Sequence, residues 1–435
     1  MEYCKRCLYP RNARPTIIFD EEGVCSGCRY HESRLRIDWD ERRTWFEALI
    51  TEYKSGGLNK NPHYDCIIPV SGGKDSHFQV WTMKEVYGLN PLLVTFNHIY
   101  NTQESIRNLN NIVTTFGCDL IRFTISPETA RKISRYMLRR CGDITWHYHA
   151  GIMTFPFQVA VQHKIPLIVW GEHGFAELTG MVTLDDLVEF TNWKRREHDM
   201  RGIEPDSLVA DPESGISRKE LAPFYYPSDE DIEAVGVRGI YLSNYFDWDA
   251  LKHGRHMVRE FGFKTHPGPR ERTFNLYAKI EDHANAVHDY QKYLKFGYGR
   301  ATDDASMEIR HGRMTREEGI EMVRRYDPRR PPSLDTYLDF LGISDREFVE
   351  CTCGNGMRDH EIWEQLVDGT WRARDSVVNH VNDPGVDAVR VPLVAAEERT
   401  FGSNNQGLYW SGEPADGTAA HHTNRSAADN SFIVL

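Results

Sequence analysis

The residues best suited to chemistry are Ser71-Gly72-Gly73-Lys74-Asp75-Ser76. An apolar run precedes them and a helical pattern follows. Two adjacent glycines let the backbone approach an anion and turn its N–H groups toward it. The opening turn of the helix adds partial positive charge, and Ser71, Lys74 and Ser76 add donors. The pattern is an anion cradle, but it is not the Gly-x4-Gly-Lys-Ser/Thr loop of other nucleotide-binding proteins. An ordinary strand–turn–helix corner would need only a capping Ser or Asp and not all six residues together.

A second cluster opens the chain. Cys4-x2-Cys7 and Cys25-x2-Cys28 are separated by seventeen residues. Each Cys-x2-Cys turn presents two thiolates, and two such turns complete a closed tetrahedral sulfur site. Cys4, Cys7, Cys25 and Cys28 are therefore expected to bind structural Zn2+. An iron–sulfur cluster uses the same ligand type, and a thioredoxin-like pair lacks its βα context here. Cys351-x-Cys353 has a gap too short for a zinc turn, and Cys66 and Cys118 lie in or beside apolar strands as core residues. Cys141 follows Arg139-Arg140, a setting that lowers a thiol pKa in some proteins, but a lone thiol of this kind is expected to be inert.

These groups need elements to hold them. Apolar runs at Tyr64–Val70, Pro91–Asn97, Asp119–Ile125 and Pro166–Trp170 alternate with helical patterns at Asp75–Tyr87, Glu104–Phe116, Pro127–Arg139 and Gly151–His163. The fold class this predicts is α/β, with a parallel sheet covered by helices on both faces. Right-handed crossovers then align the loops after the strands along one ligand-binding edge. The phosphate cradle follows the first strand. The second, Pro91–Asn97, carries Phe96 to the same edge. The fourth runs into Gly171-Glu172-His173, where Glu172 is a candidate metal or nucleotide contact and His173 is as readily structural.

A charged helix is expected over Leu35–Tyr53, closed by Ser55-Gly56-Gly57. Residues 180–270 read as loops and short elements around a substrate pocket. Helical spacing returns at Asn275–Phe296, Thr315–Tyr326 and Leu334–Leu341, with Thr315 and Glu318 forming a capping box. Arg300, Asp303 and Asp304 follow Gly297-Tyr298-Gly299 and read as a tight loop presenting polar groups. The chain divides into a zinc-binding module and helix (1–60), a nucleotide-binding domain with substrate loops (61–270), a mostly helical region (271–380) and a flexible or partner-dependent tail (381–435).

The 435 residues carry 52 basic and 64 acidic side chains, a net charge of −12. That balance opposes nucleic-acid binding, which would need a local basic patch. No run approaches the roughly 18–20 apolar residues of a membrane span. The first residues lack the apolar core of a signal peptide, so a cytoplasmic location is expected.

SGGKDS after a strand resembles the PP-loop of ATP pyrophosphatases. That likeness implies an adenine-nucleotide-alpha-hydrolase-like fold, with Asp75 helping to hold Mg2+ and Lys74 neutralising the departing pyrophosphate. More of the chain then falls into one pattern: the cysteine pairs, VWGEH, YLSNYFDWD at 241–249, and HDYQKYLKFGYGRATDDAS through IRHGRMTREE. Together these motifs resemble the N-acetyl sugar amidotransferase family of surface-polysaccharide and nonulosonic-acid sugar biosynthesis, over about residues 1–330. The resemblance implies an ATP-dependent amidotransferase that adenylates an acetamido or carboxylate oxygen of a sugar, often nucleotide-linked, and replaces it with ammonia-derived nitrogen, in making O-antigen, capsule or flagellin glycans. ATP and Mg2+ would sit on Ser71, Gly72, Gly73, Lys74, Asp75 and Ser76, and zinc on the four cysteines. Phe96, Gly171, Asp303 and Asp304 would border the nucleotide, with Lys74, Asp75, Glu172 and Arg300 as catalytic candidates. The chain departs from the family pattern in reading His173 where Asn often follows the Glu, and in extending beyond about residue 345.

No glutaminase signature is present, so ammonia is expected from free solution or from a separate glutaminase subunit, and the resemblance implies separate glutaminase- and cyclase-like partner subunits. The competing enzyme reading is PP-loop thiolation of tRNA or a small molecule, which needs a sulfur-relay cysteine and a basic RNA face. A non-catalytic zinc scaffold is a third reading, opposed by the intact loop.

Overall fold

The computed structural model describes residues 1–54, 57–354 and 356–381. Five strands, β1 (Cys66–Pro69), β2 (Pro91–Phe96), β3 (Leu120–Phe123), β4 (Leu167–Trp170) and β5 (Arg238–Tyr241), form one parallel sheet in the order β3-β2-β1-β4-β5. Registers such as Ile68↔Leu93, Ile67↔Ile168 and Trp170↔Tyr241 place β1 at the centre. The chain moves outward from β1 through β2 to β3, then returns across β1 to lay down β4 and β5. Between β1 and β4 the connections diverge, the place where open α/β sheets bind ligands.

Alternation along each strand fills two cores. Cys66, Ile68, Leu93, Leu167 and Val169 pack with Phe46, Val80, Leu109 and Ile112 on one face. Ile67, Leu92, Val94 and Ile168 pack with Phe157, Val159 and Ala160 on the other. Helices Trp39–Tyr53, Lys74–Trp81 and Gln103–Phe116 supply the first set, and helix Trp146–His163 supplies much of the second. The α/β parallel sheet with helices on both faces is thus present, as are the four-cysteine module and a helical C-terminal region.

Several expectations are corrected. Within 180–270 the chain forms β5 and the helix Ala250–Phe261. Residues 275–283 are irregular and the following helix is Ala284–Phe296. The helix expected over Leu35–Tyr53 is Trp39–Tyr53, capped by the Asp38 side chain. Arg300, Asp303 and Asp304 stand on a helix, Arg300–Arg310, and not in a loop. The buried donors at its start are met from a distance: Asp327 accepts from Gly299 N at 2.8 Å, Ala301 N at 3.0 Å and the Thr302 hydroxyl at 2.7 Å. The Thr315–Glu318 capping box is present. Cys66 and Cys118 are buried, and burial pushes the Cys141 thiol up to about 11. The expected tail lies almost wholly outside the described residues.

The cysteine module packs on the far end of the chain. Cys4, Cys7, Leu8, Cys25 and Cys28 share a core with Tyr298, Ala305, Ile309, Ile320 and Tyr326. Polar contacts fix the register, with Leu8 N donating to Ser306 Oγ at 3.2 Å and the Tyr9 hydroxyl to Asp303 at 2.8 Å.

Candidate nucleotide site and metal centre

The phosphate loop sits where the topology requires, between the end of β1 and the helix Lys74–Trp81. Gly72 has φ of 85°, a left-handed conformation that favours glycine, and a Cβ there would lie 2.9 Å from the Ser105 carbonyl. Gly73 is the helix N-cap. The loop is closed by two hydroxyls: Ser71 N donates to Ser76 Oγ at 3.0 Å, and Gly73 N to Ser71 Oγ at 3.3 Å. The following first-turn N–H groups have no acceptor within the helix, which leaves them for an anion.

Charge at the loop is concentrated on a few buried groups. Lys74 is buried and bonds the Asp75 carboxylate. Burial alone would lower the Lys74 pKa, but Asp75, Glu172 and Glu281 outweigh it and the ammonium is held above its usual range. Burial, and then the Asp75 carboxylate, push the Glu172 carboxyl up to about 7 against the pull of Lys74. One lysine therefore serves three acids. The second Asp75 oxygen, Oδ1, is buried with no hydrogen-bond partner. An orphaned carboxylate oxygen beside a lysine and a second carboxyl fits a hard divalent cation, which takes oxygen ligands. Asp75 and Glu172 would hold Mg2+ here.

Glu281 is the residue that sequence reasoning missed. It arrives from the irregular segment before helix Ala284–Phe296 and accepts from the Ser71 hydroxyl at 3.3 Å. A Cβ on Gly73 would lie 2.9 Å from its Oε1, so a side chain there would displace this acid. The same segment places the Tyr277 ring 5.6 Å from the Lys74 ammonium. Arg270 shapes the segment by donating to the carbonyls of Asn275 and Ala278 at 2.8 Å and Lys279 at 2.7 Å. The only sequence signal was an acid beside a second acid, Glu281-Asp282, ahead of a helix.

Other candidates fall elsewhere. The Phe96 ring is buried among Phe123, Phe155 and Phe224, and Gly151 leaves room for it, so only its backbone at the strand end is available to a ligand. His173 caps the helix Gly174–Thr179 through Nδ1, a structural role. Arg300 pairs with Asp289 at 2.9 Å and with Asp303 at 3.4 Å. Lys292 also bonds Asp303, and Thr273 bonds Asp304. Burial raises the Asp304 carboxyl to about 6, partly opposed by Arg300. Among the described residues no hydrogen bond or ion pair joins this cluster directly to the phosphate loop. Arg270 lies between them, in electrostatic reach of both Glu281 and Asp304.

The four cysteines converge. Cys4, Cys7, Cys25 and Cys28 are fully buried, and their sulfur atoms lie within 4.8 Å of one another. Backbone N–H groups of Arg6, Cys7 and Cys25 point at Cys4 Sγ from 3.3 to 3.5 Å. Burial and neighbouring sulfurs push the Cys4 and Cys28 thiols well above the usual range, so four thiolates here need a cation. The donor set fits zinc. Arg310 adds positive charge, its Nη2 lying 3.7 Å from Cys25 Sγ and 3.9 Å from Cys7 Sγ. Its other nitrogen donates to the Glu177 carbonyl at 2.9 Å. Arg310 is thus committed to the four-cysteine cluster. Arg195 is likewise held by Glu204, and Arg196 pairs with Glu197.

The two sites are joined through the helix Gly174–Thr179, which follows Glu172. The helix Ser26–Arg34 of the cysteine module grips it: Arg34 donates to both Glu177 oxygens at 2.7 and 2.9 Å, and Ser26 Oγ to the Thr179 carbonyl at 2.5 Å.

A phosphate loop after the central strand of a five-stranded parallel sheet, with acids gathered around its lysine, defines a PP-loop protein. Residues 271–375 match the family described as LPS biosynthesis protein WbpG-like, C-terminal domain. That match bears out, over that stretch, the resemblance carried by the motifs: residues 271–375 are WbpG-like. An uncharacterized protein of Methanocaldococcus jannaschii is 27% identical over 145 residues, 32% of this chain, and the chain spans about half (50%) of that relative's length. Solved structures that overlap it include the NH3-dependent NAD synthetase from Campylobacter jejuni, with TM-score 0.26 and 11% identity over 46% of this chain and 92% of that one. The NMN synthetase from Francisella tularensis gives TM-score 0.25 and 13% identity over 45% and 92%. Neither superposition bears on the reading of the site.

Proposed function

We propose that this PP-loop enzyme of LPS biosynthesis is an ATP-dependent amidotransferase. It adenylates an acetamido or carboxylate oxygen of a sugar, often nucleotide-linked, and replaces that oxygen with nitrogen from ammonia. The observation that carries the reading is the Lys74 ammonium, buried at the loop among Asp75, Glu172 and Glu281, with an unpartnered Asp75 oxygen beside it.

An amide or carboxylate oxygen is a poor leaving group, so ammonia cannot displace it unaided. Transfer of AMP to that oxygen makes it one. The loop N–H groups and Lys74 face the charge that develops on pyrophosphate, and being fixed in place they need little reorganisation as it forms. Magnesium, when bound at Asp75 and Glu172, supplies further charge neutralisation. Ammonia then adds to the activated carbon and AMP departs. The zinc module braces the Glu172 loop without an open coordination position. The substrate surroundings include the Arg300, Asp303 and Asp304 cluster, and separate glutaminase- and cyclase-like subunits supply ammonia in the cytoplasm. The thiolation reading is disfavoured because Cys66 and Cys118 are buried and Cys141 is held as a thiol. Among the described residues no helix is long and apolar enough to cross a membrane.

The test is incubation of the full chain with ATP, ammonium chloride and a panel of UDP- and CMP-linked N-acetyl sugars and uronates, reading AMP, pyrophosphate and product mass. The reading requires AMP and a product whose mass reports oxygen exchanged for nitrogen. ATP cleaved to ADP, or turnover undiminished in Lys74→Ala, would exclude it.

A further inference from the structure

Resting on the amidotransferase reading, we propose that Lys279 and Arg201 bind a negatively charged group of the sugar substrate, so that the enzyme selects anionic sugars. Both residues have a left-handed backbone, each with φ of 52°. Both side chains are exposed, and among the described residues neither makes a hydrogen bond or ion pair. Both cations lie within electrostatic reach of one half-buried side chain, His149, near the start of helix Trp146–His163.

Each is carried to the ligand edge by a pinned segment. Arg270 donates to the Lys279 carbonyl at 2.7 Å, and Thr102, beyond β2, donates from its hydroxyl to the Ile280 carbonyl at 2.5 Å and from its N–H to the Glu281 carbonyl at 3.2 Å. The other segment passes from Asn192–Lys194 into the π-helical turn Arg195–Asp199. Lys194 anchors it, bonding Asp199 at 2.8 Å and lying 5.3 Å from the Phe175 ring and 5.8 Å from that of Tyr241, the last residue of β5. The Gly202 N–H returns to the Arg196 carbonyl at 2.8 Å, which puts Arg201 at the left-handed position where helices commonly end on glycine.

Glycine would fit both turns with less strain, and strained non-glycine residues cluster at ligand sites. The acids within reach of His149 already have partners: Asp143 accepts from the Thr145 N–H and hydroxyl at 2.7 Å each, and Asp199 is paired with Lys194. The two cations are therefore surplus charge. Lys279 is also within reach of Glu172 beside the phosphate loop, and Arg201 of Asp143 and Lys295. The pair thus leads away from the loop, toward a second anion besides ATP. A guanidinium meets phosphate or carboxylate with paired hydrogen bonds, and an ammonium adds a point charge. The phosphate linker of a nucleotide-linked sugar and the carboxylate of a uronate share that chemistry.

The experiment is isothermal titration of the full chain, without ATP, with UDP-linked, 1-phosphate and free N-acetyl sugars and with free uronates. Wild type is compared with Lys279→Gly, Arg201→Gly, Lys279→Arg and Arg201→Lys. Each Gly variant should weaken the charged ligands about 10–100-fold and leave ATP affinity, titrated separately, within about twofold. The Arg and Lys exchanges should keep part of the affinity. Melting temperature should hold or rise in the Gly variants, because the left-handed strain is relieved, whereas a structural role would move it down. Loss confined to phosphate-bearing forms assigns the linker, and loss confined to uronates assigns the carboxylate. Unchanged affinity, an equal loss for neutral sugars or for ATP, or a wild type that prefers no charged form over its neutral sugar would overturn the proposal. These titrations need no turnover, so their failure is distinct from that of the amidotransferase reading, which falls if no sugar supports AMP formation.

Discussion

The Glu281 carboxylate accepts a hydrogen bond from the Ser71 hydroxyl at 3.3 Å, across 210 residues of sequence. The segment beginning the WbpG-like match therefore completes a loop built at the end of β1. Gly73 is the third party, since a Cβ there would come within 2.9 Å of Glu281 Oε1. Gly73→Ala should weaken ATP binding about tenfold by displacing that acid. The penalty should shrink in a Glu281→Ala background, because the clash is then gone. Isothermal titration of ATP into the four members of this double-mutant cycle measures the coupling, expected at about 1 kcal/mol. Additive losses would show that the two residues do not meet.

Zinc should be present at one ion per chain by elemental analysis. Its removal by chelation should unfold the cysteine module, since four buried thiols cannot share that space as thiolates without a cation. Because Arg34 and Ser26 hold the helix after Glu172, metal loss should also reduce AMP formation. Iron in place of zinc would overturn the metal assignment.

Arg310 predicts a subtler effect. Replacing it with Met keeps much of the bulk but removes the charge beside Cys7 and Cys25 and the bond to the Glu177 carbonyl. Metal affinity should fall about 10–100-fold, the range for lost outer-sphere partners. Competition with a chromogenic chelator would report it, and unchanged affinity would make the arginine a packing residue only.

Asp304 gives a pH signature. Its carboxyl stands at about 6 in the fold against 3.8 ordinarily, chiefly through burial. The folded state holds that proton more tightly than the unfolded chain. The stability it contributes is therefore full below about pH 3.8 and is lost as pH rises through about 6. Asp304→Asn keeps an acceptor for Thr273 and removes the titration. The stability of the Asn variant relative to wild type should rise by on the order of 1–3 kcal/mol between pH 4 and 7, measured by urea unfolding. A constant difference would contradict the assignment.

The legible parts of the site were those whose chemistry is contiguous. SGGKDS and the two Cys-x2-Cys turns carry their geometry in adjacent residues, and β1, β2 and β4 are apolar enough to be seen alone. β5 was missed because Arg238-Gly239-Ile240-Tyr241 has a weak apolar signal and is held by pairing with β4. The helix beginning at Arg300 was read as a loop because its N-terminal partner, Asp327, is 28 residues beyond Gly299. Glu281 was missed for the same reason, since only the tertiary fold brings it to Ser71.

The order in which these pieces leave the ribosome has a consequence. All five strands are made before residue 242, yet the acid that reaches Ser71 follows some forty residues later. A nascent chain can thus own a finished sheet while its nucleotide cradle still lacks a wall. On the proposed reading, a product truncated before Glu281 would lack one wall of its ATP site.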